Sequence, residues 1–288
     1  MEPLVCAAGD LVEDIVVHAG AAPARDSDIP ATVTRHRGGS AANTAATVAR
    51  LGGRARFIGP VGDDDTGARL VDCLTAAGVE CVVSRSGRTG TVVVVVERDG
   101  TRTMFSDRRP TGGPMPFDER VIDGADVLHV PFYGLADGAG RRALDPLLRR
   151  AAAQGVVVSL DPSSVALAGR AFLDLVRKTR PGVVLCNEAE AAALGVDDAG
   201  LPGARLVVVK RGADPALVRG EVSASVPVPR VLRAVDTTGA GDAFAGGFLL
   251  ALARGEDPVR AASEGHAAAA RVVRAPGADA WVDGPGAP

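Results

Sequence analysis

The order of segments along the chain predicts an α/β fold built on a mostly parallel central sheet. From about residue 124, short apolar runs alternate with segments of helical character. Strands are predicted at 126–130, 156–160, 182–186 and 205–209, helices at 137–153, 170–179 and 188–194 between them, and two final helices near 240–253 and 258–272. Such alternation predicts helices covering both faces of a parallel sheet. The 288 residues, 47% of them hydrophobic, are enough to bury that core.

Two helices are predicted in the N-terminal quarter. In "HRGGSAANTAATVARLGG", Ser40 is a candidate N-cap for an Ala-rich helix that ends at Gly52–Gly53. A strand, a turn and a second helix follow. This helix is expected to begin near Asp64 or Asp65 and to end before Gly78.

A smaller β element is predicted beside this body. After the first buried strand of the chain, "LVCAAG" (4–9), the run "DIVVHAG" (14–20) predicts a second strand, and "TGTVVVVVERDGTRTMFSD" (89–107) predicts a hairpin that turns at Arg98-Asp99-Gly100. We therefore expect one domain over residues 1–288, with a small sheet drawn from about 11–37 and 88–110. Sheets that project from an α/β body often act as lids over a site.

Composition excludes several classes of protein. The net charge of −3 gives no basic face for nucleic acid. No run approaches about 18 apolar residues, so no membrane span is expected, and the N-terminus lacks the basic start and apolar run of a signal peptide. The four cysteines form no C-x-x-C pair, which argues against structural zinc and favours a reducing cytoplasm.

The segment "DTTGAGDAFAGG" (236–247) carries the clearest chemical signal. Its glycines let backbone N–H groups point into one concavity at a helix N-terminus, which makes an anion hole. The third glycine of a dinucleotide fingerprint would fall on Phe244, so that motif is excluded. Asp242 is either a general base beside this hole or only a helix cap, and the motif by itself favours neither.

Two further loops offer polar groups for a small ligand. In "RGGSAANTA" (37–45), the double glycine permits close backbone approach and Asn43 presents an amide, or the segment is a plain turn. Asp10 and Asp14 follow the first strand and are candidate acceptors for sugar hydroxyls, or turn residues. In "CNEAE" (186–190), Asn187 and Glu190 suit hydrated Mg²⁺ or nucleotide phosphates, and a reciprocal capping box explains them nearly as well.

Taken in order along nearly the whole chain, these motifs resemble the ribokinase-like (PfkB) family of carbohydrate kinases. The resemblance includes Gly9 with Asp14 beyond it, "GGSAANTA", "GPVGDDDTG", the hairpin near 89–106, "NEAE" and "DTTGAGDAFAGG". It implies an ATP-dependent kinase for a sugar hydroxyl, with Mg²⁺, a three-layer α/β/α fold and a β lid. It also implies a homodimer through the lid, for which the run Val92–Val96 is a candidate, or else that run packs inside the monomer.

The resemblance also assigns roles by motif position. Asp242 becomes the base, Gly239, Ala240 and Gly241 supply the anion-hole amides, and Asn187 and Glu190 take the Mg²⁺–phosphate side, with Glu190 acting on Mg²⁺ indirectly. Asp10, Asp14, Gly38, Gly39 and Asn43 line the sugar side, and Lys210, Gly212 and His266 the nucleotide side. Asp236 and Thr238 resemble part of a monovalent-cation loop, although "RAPGADAW" departs from the usual cation-site sequence. "KRGADPALV" (210–218) departs as well, because Pro215 stands near an expected second glycine.

The acceptor stays open among three classes. A neutral sugar would use Asp14 and Asn43. A sugar acid such as 2-keto-3-deoxygluconate would need a cation, for which the segment near the lid offers Arg102, Arg108 and Arg109. A nucleoside would need an aromatic platform, for which the candidates are Met104, Phe105, Phe132 and Tyr133. A non-catalytic sensor on the same fold is disfavoured, because a sensor has no need of a base.

Overall fold

The structure is a computed structural model that describes residues 2–22, 26–97, 102–108, 117–136, 138–229, 234–274 and 277. Over these ranges it contains a nine-stranded sheet, a four-stranded sheet and seven α-helices. The expected turn at Arg98-Asp99-Gly100 lies outside the described residues, as do Arg109 and most of "RAPGADAW". No helix of the described part is long and apolar enough to span a membrane.

The large sheet has the strand order β13-β12-β11-β10-β9-β8-β1-β4-β5. Its strands are β1 (Leu4–Ala8), β4 (Arg54–Val61), β5 (Val79–Arg85), β8 (Val127–Pro131), β9 (Val157–Asp161), β10 (Val183–Asn187), β11 (Leu206–Arg211), β12 (Asp214–Gly220) and β13 (Ala224–Val226). The seven strands from β5 to β11 are parallel, as predicted, and β12 pairs antiparallel with both β11 and β13.

The helices form a layer on each face of this sheet. They are α1 (Ser40–Arg50), α2 (Asp65–Ala76), α3 (Gly138–Gln154), α4 (Arg170–Thr179), α5 (Glu188–Leu194), α6 (Ala240–Ala253) and α7 (Pro258–Val272). One core cluster joins the sheet to α1, α2, α6 and α7, and a second joins it to α3, α4 and α5. Along β1, Val5 and Ala7 face the first cluster while Leu4, Cys6 and Ala8 face the second, as the twofold repeat of a strand requires.

The four remaining strands form a small separate sheet in the order β3-β2-β6-β7. They are β2 (Val12–Ala19), β3 (Ala31–Gly38), β6 (Gly90–Val96) and β7 (Arg102–Asp107). Strands β6 and β7 are antiparallel, as expected for a hairpin, whereas β2 and β6 run parallel. Val12, Val16, Val92 and Val94 are buried together on one face.

Helix α6 is buried along most of its length because it lies between the sheet, α1 and α7. A Cβ on Gly246 would come within 2.7 Å of the Thr47 side chain on α1. The glycine therefore permits the close approach of α6 to α1, and this approach brings the N-termini of the two helices together.

The helix ends follow the predicted capping residues with one correction. Asp64 caps α2 through the Gly67 N–H, as expected, but the N-cap of α1 is Gly39 and not Ser40. Gly39 has a φ of 101°, and a Cβ there would overlap the carbonyl oxygen of Asp10. Only glycine fits this junction, and Ser40 becomes the first helical residue with its hydroxyl free for another partner.

Candidate active site

The predicted polar residues lie at the carboxyl ends of the parallel strands. Asp161 and Asn187 are the last residues of β9 and β10, and Lys210 is the last but one of β11. Asp10 follows β1 after a single glycine. In open α/β sheets this edge is where ligands bind.

Asp242 lies in the first turn of α6 with its carboxylate fixed from two sides. Its Oδ1 accepts a hydrogen bond from Ser40 Oγ at 2.6 Å, and its Oδ2 accepts one from Asn43 Nδ2 at 2.9 Å. Arg37 donates to Asn43 Oδ1 at 2.6 Å, which fixes which way the amide faces. Burial raises the pKa of Asp242, against the opposing effect of the Ser40 and Asn43 hydrogen bonds and the charge of Lys210.

The loop before α6 presents unused backbone donors. Gly239 is the N-cap in a left-handed conformation, and the Ala240 N–H donates to Thr237 O at 3.2 Å. The N–H groups of Gly239, Gly241 and Asp242 have no acceptor among the described residues. Of the three predicted anion-hole amides, the Ala240 amide is therefore taken up within the turn itself, and the Asp242 amide is available instead.

Lys210 lies beside these donors. Its Nζ is 3.5 Å from the place that a Cβ on Gly241 would occupy, and it donates to Asp161 Oδ2 at 2.8 Å. Burial favours the neutral amine, but the charges of Asp161, Glu190 and Asp242 outweigh it and raise the pKa of Lys210 to about 12. One ammonium ion thus faces three carboxylates next to the open N–H groups.

Asn187 and Glu190 form the reciprocal capping box. Asn187 Oδ1 accepts from the Glu190 N–H at 2.9 Å, and Glu190 Oε2 accepts from the Asn187 N–H at 2.8 Å. Glu190 is buried, and burial together with the charge of Asp161 raises its pKa. Both side chains therefore have a structural role, in addition to the nucleotide-side role predicted for them.

The carboxylates fit a hydrated Mg²⁺ better than a directly chelated one. Within the described ranges, no group of three or more His, Cys, Asp or Glu side chains is placed to hold a metal ion. The negative charge of the three carboxylates, those of Asp161, Glu190 and Asp242, nevertheless exceeds the single positive charge of Lys210. Mg²⁺ keeps several waters and is bound through one or two carboxylates together with substrate phosphates, so it would offset this excess as part of a nucleotide complex.

The sugar side predicted from the sequence is a cluster of two carboxylates and an arginine. Asp14 packs directly over Gly38, and Asp10 forms an ion pair with Arg108. Burial, with the charges of Asp10 and Asp242, raises the pKa of Asp14 to about 6 despite the opposing charge of Arg108. Asp10 Oδ1 and Arg108 Nε are buried and have no hydrogen-bond partner in the described part of the chain.

The aromatic candidates are dispersed. Phe132 packs edge-to-face on Phe172 with ring centroids 5.3 Å apart, so it belongs to the core. The Arg108 guanidinium lies 4.1 Å over the ring of Tyr133. Met104 and Phe105 are more than half exposed on β7. These four candidates are therefore not brought together as a stacking platform.

The predicted cation loop does not fit a monovalent metal ion. Asp236 Oδ1 accepts from the Thr238 N–H at 2.8 Å and from Arg102 Nη2 at 2.9 Å, and Oδ2 accepts from the Gly277 N–H at 3.0 Å. Burial would raise the pKa of Asp236, but these donors lower it overall. Oδ1 is filled by Arg102 and by the N–H and hydroxyl of Thr238, and the negative charge that would attract a metal ion is already paired with Arg102.

Two nucleotide-side candidates lie apart from this centre. His266 is buried, its Nε2 is 3.2 Å from Val226 O, and its ring packs edge-to-face on Phe244. These contacts hold α7 against β13 and α6. Gly212 forms the tight turn between β11 and β12 with a φ of 63° and open space around it. A contact of either residue with the nucleotide stays a prediction.

Sequence reasoning missed three residues that organise the site. Ser40 was assigned only to a helix cap, and Arg37 and Asp161 were not singled out. Asp161 could have been found, because it directly follows the predicted strand 156–160 at the edge where ligands bind. The partnership of Arg37 with Asn43 depends on the junction at Gly39, for which the sequence carries no signal beyond the double glycine.

Comparison with known proteins agrees with this geometry. The family described as pfkB family carbohydrate kinase matches residues 3–283. The chain belongs to this family. It is an ATP-dependent carbohydrate kinase with the ribokinase-like fold that the motifs implied.

The relatives of this kinase act on different acceptors. An ATP-dependent ribose-1-phosphate kinase from Halopiger xanaduensis is 33% identical over 255 residues, or 85% of this chain and 83% of the relative. A fructokinase from Vibrio alginolyticus is 30% identical, covering 76% and 78%. The structure of ribokinase from Thermotoga maritima superposes with a TM-score of 0.78 at 25% identity, covering 97% and 95%.

Proposed function

We propose that this kinase transfers the γ-phosphoryl group of ATP to a sugar hydroxyl, with Asp242 as the general base. The observation that carries the proposal is the position of Asp242 in the first turn of α6, between the donors Ser40 and Asn43 and next to the open N–H groups of Gly241 and Asp242 itself. Its raised pKa makes it a stronger base than an ordinary aspartate.

In this proposal each bond change has a partner. The acceptor hydroxyl gives its proton to Asp242 as its oxygen forms a bond to the γ-phosphorus. The bond from that phosphorus to the β–γ bridging oxygen breaks, and ADP leaves with the electron pair. The N–H groups at the start of α6 and the ammonium of Lys210 stabilise the negative charge of the transferring group.

Glu190 would hold Mg²⁺ indirectly in this scheme, and Lys210 would balance the charges of Asp161 and Glu190 before the nucleotide binds. When bound, Mg²⁺ neutralises phosphate charge. We propose that no monovalent ion takes part. We assign the kinase to the cytoplasm, where ATP is at hand and where an exposed free thiol such as Cys73 stays reduced.

We propose a neutral, hydroxyl-rich sugar as the acceptor. Asp10 and Asp14 offer carboxylate oxygens to hydroxyl donors, and Arg108 is already neutralised by Asp10 and is therefore a poor site for a substrate carboxylate. The Tyr133 ring is covered by Arg108, which disfavours a nucleoside base. The small sheet would then act as a lid, because Asp14 on β2 lies beside the acceptor.

A screen of ATP consumption with Mg²⁺ tests the proposal. The acceptors are ribose, fructose, ribose 1-phosphate, 2-keto-3-deoxygluconate and adenosine. We expect turnover on a neutral sugar, and we expect Asp242→Asn to lower kcat by at least about 10²-fold, the scale for loss of a general base. Asp72→Asn, an exposed aspartate on α2, is the matched control and should keep full activity. Near-normal turnover of Asp242→Asn would refute the base.

A further inference from the structure

Arg102 joins the small sheet to the loop that precedes the anion hole. Its Nη2 donates to Asp236 Oδ1 at 2.9 Å and to Thr237 Oγ1 at 3.2 Å, and its Nη1 donates to Thr238 Oγ1 at 2.9 Å. The Arg102 side chain is 27% exposed and that of Asp236 is 13% exposed. A single guanidinium thus contacts three consecutive residues of the loop through a largely buried charge pair.

The position of Arg102 on the small sheet explains why it reaches that loop. Arg102 pairs with Val96, and Val96 pairs with His18. Because side chains alternate along a strand, Arg102 lies on the same face as Asp14, at the opposite end of the sheet. The small sheet therefore spans the site from Asp14, on the proposed sugar side, to the loop of residues 236–239 before α6, which we call the anion loop.

The contacts of Asp236 extend into the anion hole itself. Asp236 accepts the N–H and the hydroxyl of Thr238, and Thr237 O accepts the Ala240 N–H. These bonds shape the turn that leaves the Gly239 and Gly241 N–H groups without acceptors. A positive charge beside the Asp236 carboxylate consequently stabilises the loop conformation in which the Gly239 and Gly241 N–H groups are available.

We infer that Arg102, and not a monovalent metal ion, supplies the positive charge that holds the anion loop in this conformation. The inference rests on the proposed function, because the loop matters for turnover only if it binds the transferring phosphoryl group. Arg102 acts as a positioning residue through Asp236. The kinase is therefore independent of K⁺, and its anion hole is held in shape only while the small sheet is docked on the site.

The test compares turnover in KCl and in tetramethylammonium chloride at equal ionic strength. Wild-type kcat is expected to be the same in both salts. Arg102→Ala should lose about tenfold of kcat in tetramethylammonium chloride, which is less than the roughly 10²-fold loss for a direct transition-state donor. K⁺ should restore a part of this loss, because the Asp236 carboxylate then lacks the positive charge that Arg102 supplied.

Thermal unfolding in the same two salts gives a readout that needs no acceptor. We expect K⁺ to raise the melting temperature of Arg102→Ala by about 2 °C or more and to leave that of the wild type unchanged. Arg88→Ala is the matched control. Arg88 makes an exposed ion pair with Asp107 near the other end of β7, and its removal should produce no response to K⁺.

Three results would overturn the inference. One is wild-type turnover or stability that rises specifically with K⁺, another is Arg102→Ala with wild-type kcat, and the third is a loss in Arg102→Ala that K⁺ does not reverse. Absence of kinase turnover on every acceptor would instead count against the proposed function. In that case the melting temperatures still decide whether Arg102 and K⁺ are interchangeable at Asp236.

Discussion

Asp14, on the proposed acceptor side of the site, has a pKa well above that of an ordinary aspartate. Its pKa is raised to about 6, mainly by burial. An acceptor hydroxyl donates to the ionised carboxylate, so a protonated Asp14 has to lose its proton before it can accept that bond. We expect KM for the acceptor to rise as the pH falls below about 6, by up to tenfold for each pH unit, in steady-state kinetics.

Asp14→Asn separates this effect from the titration of Asp242. The variant should bind the acceptor weakly at every pH and lose the pH dependence of KM, while the acid limb of kcat stays. A KM profile unchanged from the wild type would contradict the assignment of Asp14 to the acceptor.

The raised pKa of Asp14 also lowers the stability of the fold at neutral pH. A carboxyl with a raised folded-state pKa stabilises the fold at low pH, and this contribution is lost as the pH rises from about 4 through about 6. Ionised Asp14 therefore destabilises the fold at neutral pH, by at most about 3 kcal/mol at 1.36 kcal/mol per pKa unit. Urea unfolding at pH 8 should accordingly find Asp14→Asn more stable than the wild type.

At the scale of secondary structure, the helices were predicted well and some strands were not. Helices α4, α5, α6 and α7 have the predicted ends, because alanine-rich or amphipathic segments were bounded by glycine, proline or aspartate. Strands β5, β12 and β13 were missed. β12 has a proline at its second position, and β13 has only three residues, so neither carries the alternation that marks a strand.

The α5 capping box allows the two interpretations of Asn187 to be distinguished. If Asn187 only caps the helix, Asn187→Ala lowers the free energy of unfolding by about 1 kcal/mol and leaves KM for ATP unchanged. We expect the loss of stability together with a severalfold rise in KM for ATP, because Asn187 is exposed at the ligand edge. Chemical denaturation and kinetics measure the two effects.

Asp257→Ala is the control for this experiment. Asp257 caps α7 through the Val259 and Arg260 N–H groups on an exposed part of the chain. Its removal should lower stability by a similar amount with no effect on KM. Asn187→Ala with the same pattern as this control would leave Asn187 a purely structural residue.

For the molecule as a whole, the exposed face of the small sheet predicts a homodimer. Phe105 and Val33 are 62% and 57% exposed, and Val93 and Val95 are half-buried on the same face. Apolar surface of this kind marks an interface. Light scattering should give twice the chain mass of 29.1 kDa, and Phe105→Glu should give the monomer.

Val165→Glu is the control for dimerisation, because Val165 is 51% exposed but lies between β9 and α4, away from the small sheet. A wild-type monomer, or a Phe105→Glu protein that stays dimeric, would contradict this interface. The alternative that the Val92–Val96 run packs inside the monomer holds for Val92 and Val94, which are buried.

Local motifs predicted which segments form the site, but they did not predict the hydrogen bonds and ion pairs that connect those segments. Asp242, Asn43 and the glycine loop, which the structure brings together, could be singled out because each lies in a short segment with a chemical pattern of its own. The bonds of Asp242 to Ser40 and of Arg102 to Asp236 join residues 202 and 134 positions apart. Pairings over such distances are set by how the elements pack, and no local pattern encodes them.

The contact of α6 with α1 also has a consequence for protein synthesis. Ser40 and Asn43 leave the ribosome roughly 200 residues before the carboxylate that they orient. A nascent chain can therefore contain Asp10, Asp14 and much of the central sheet before Asp242, the proposed base, has been synthesised. If Asp242 is the base, as proposed, catalytic competence arrives late, when α6 is released and packs on α1. A prematurely terminated polypeptide would then be inert toward ATP turnover, however much of its sheet had formed.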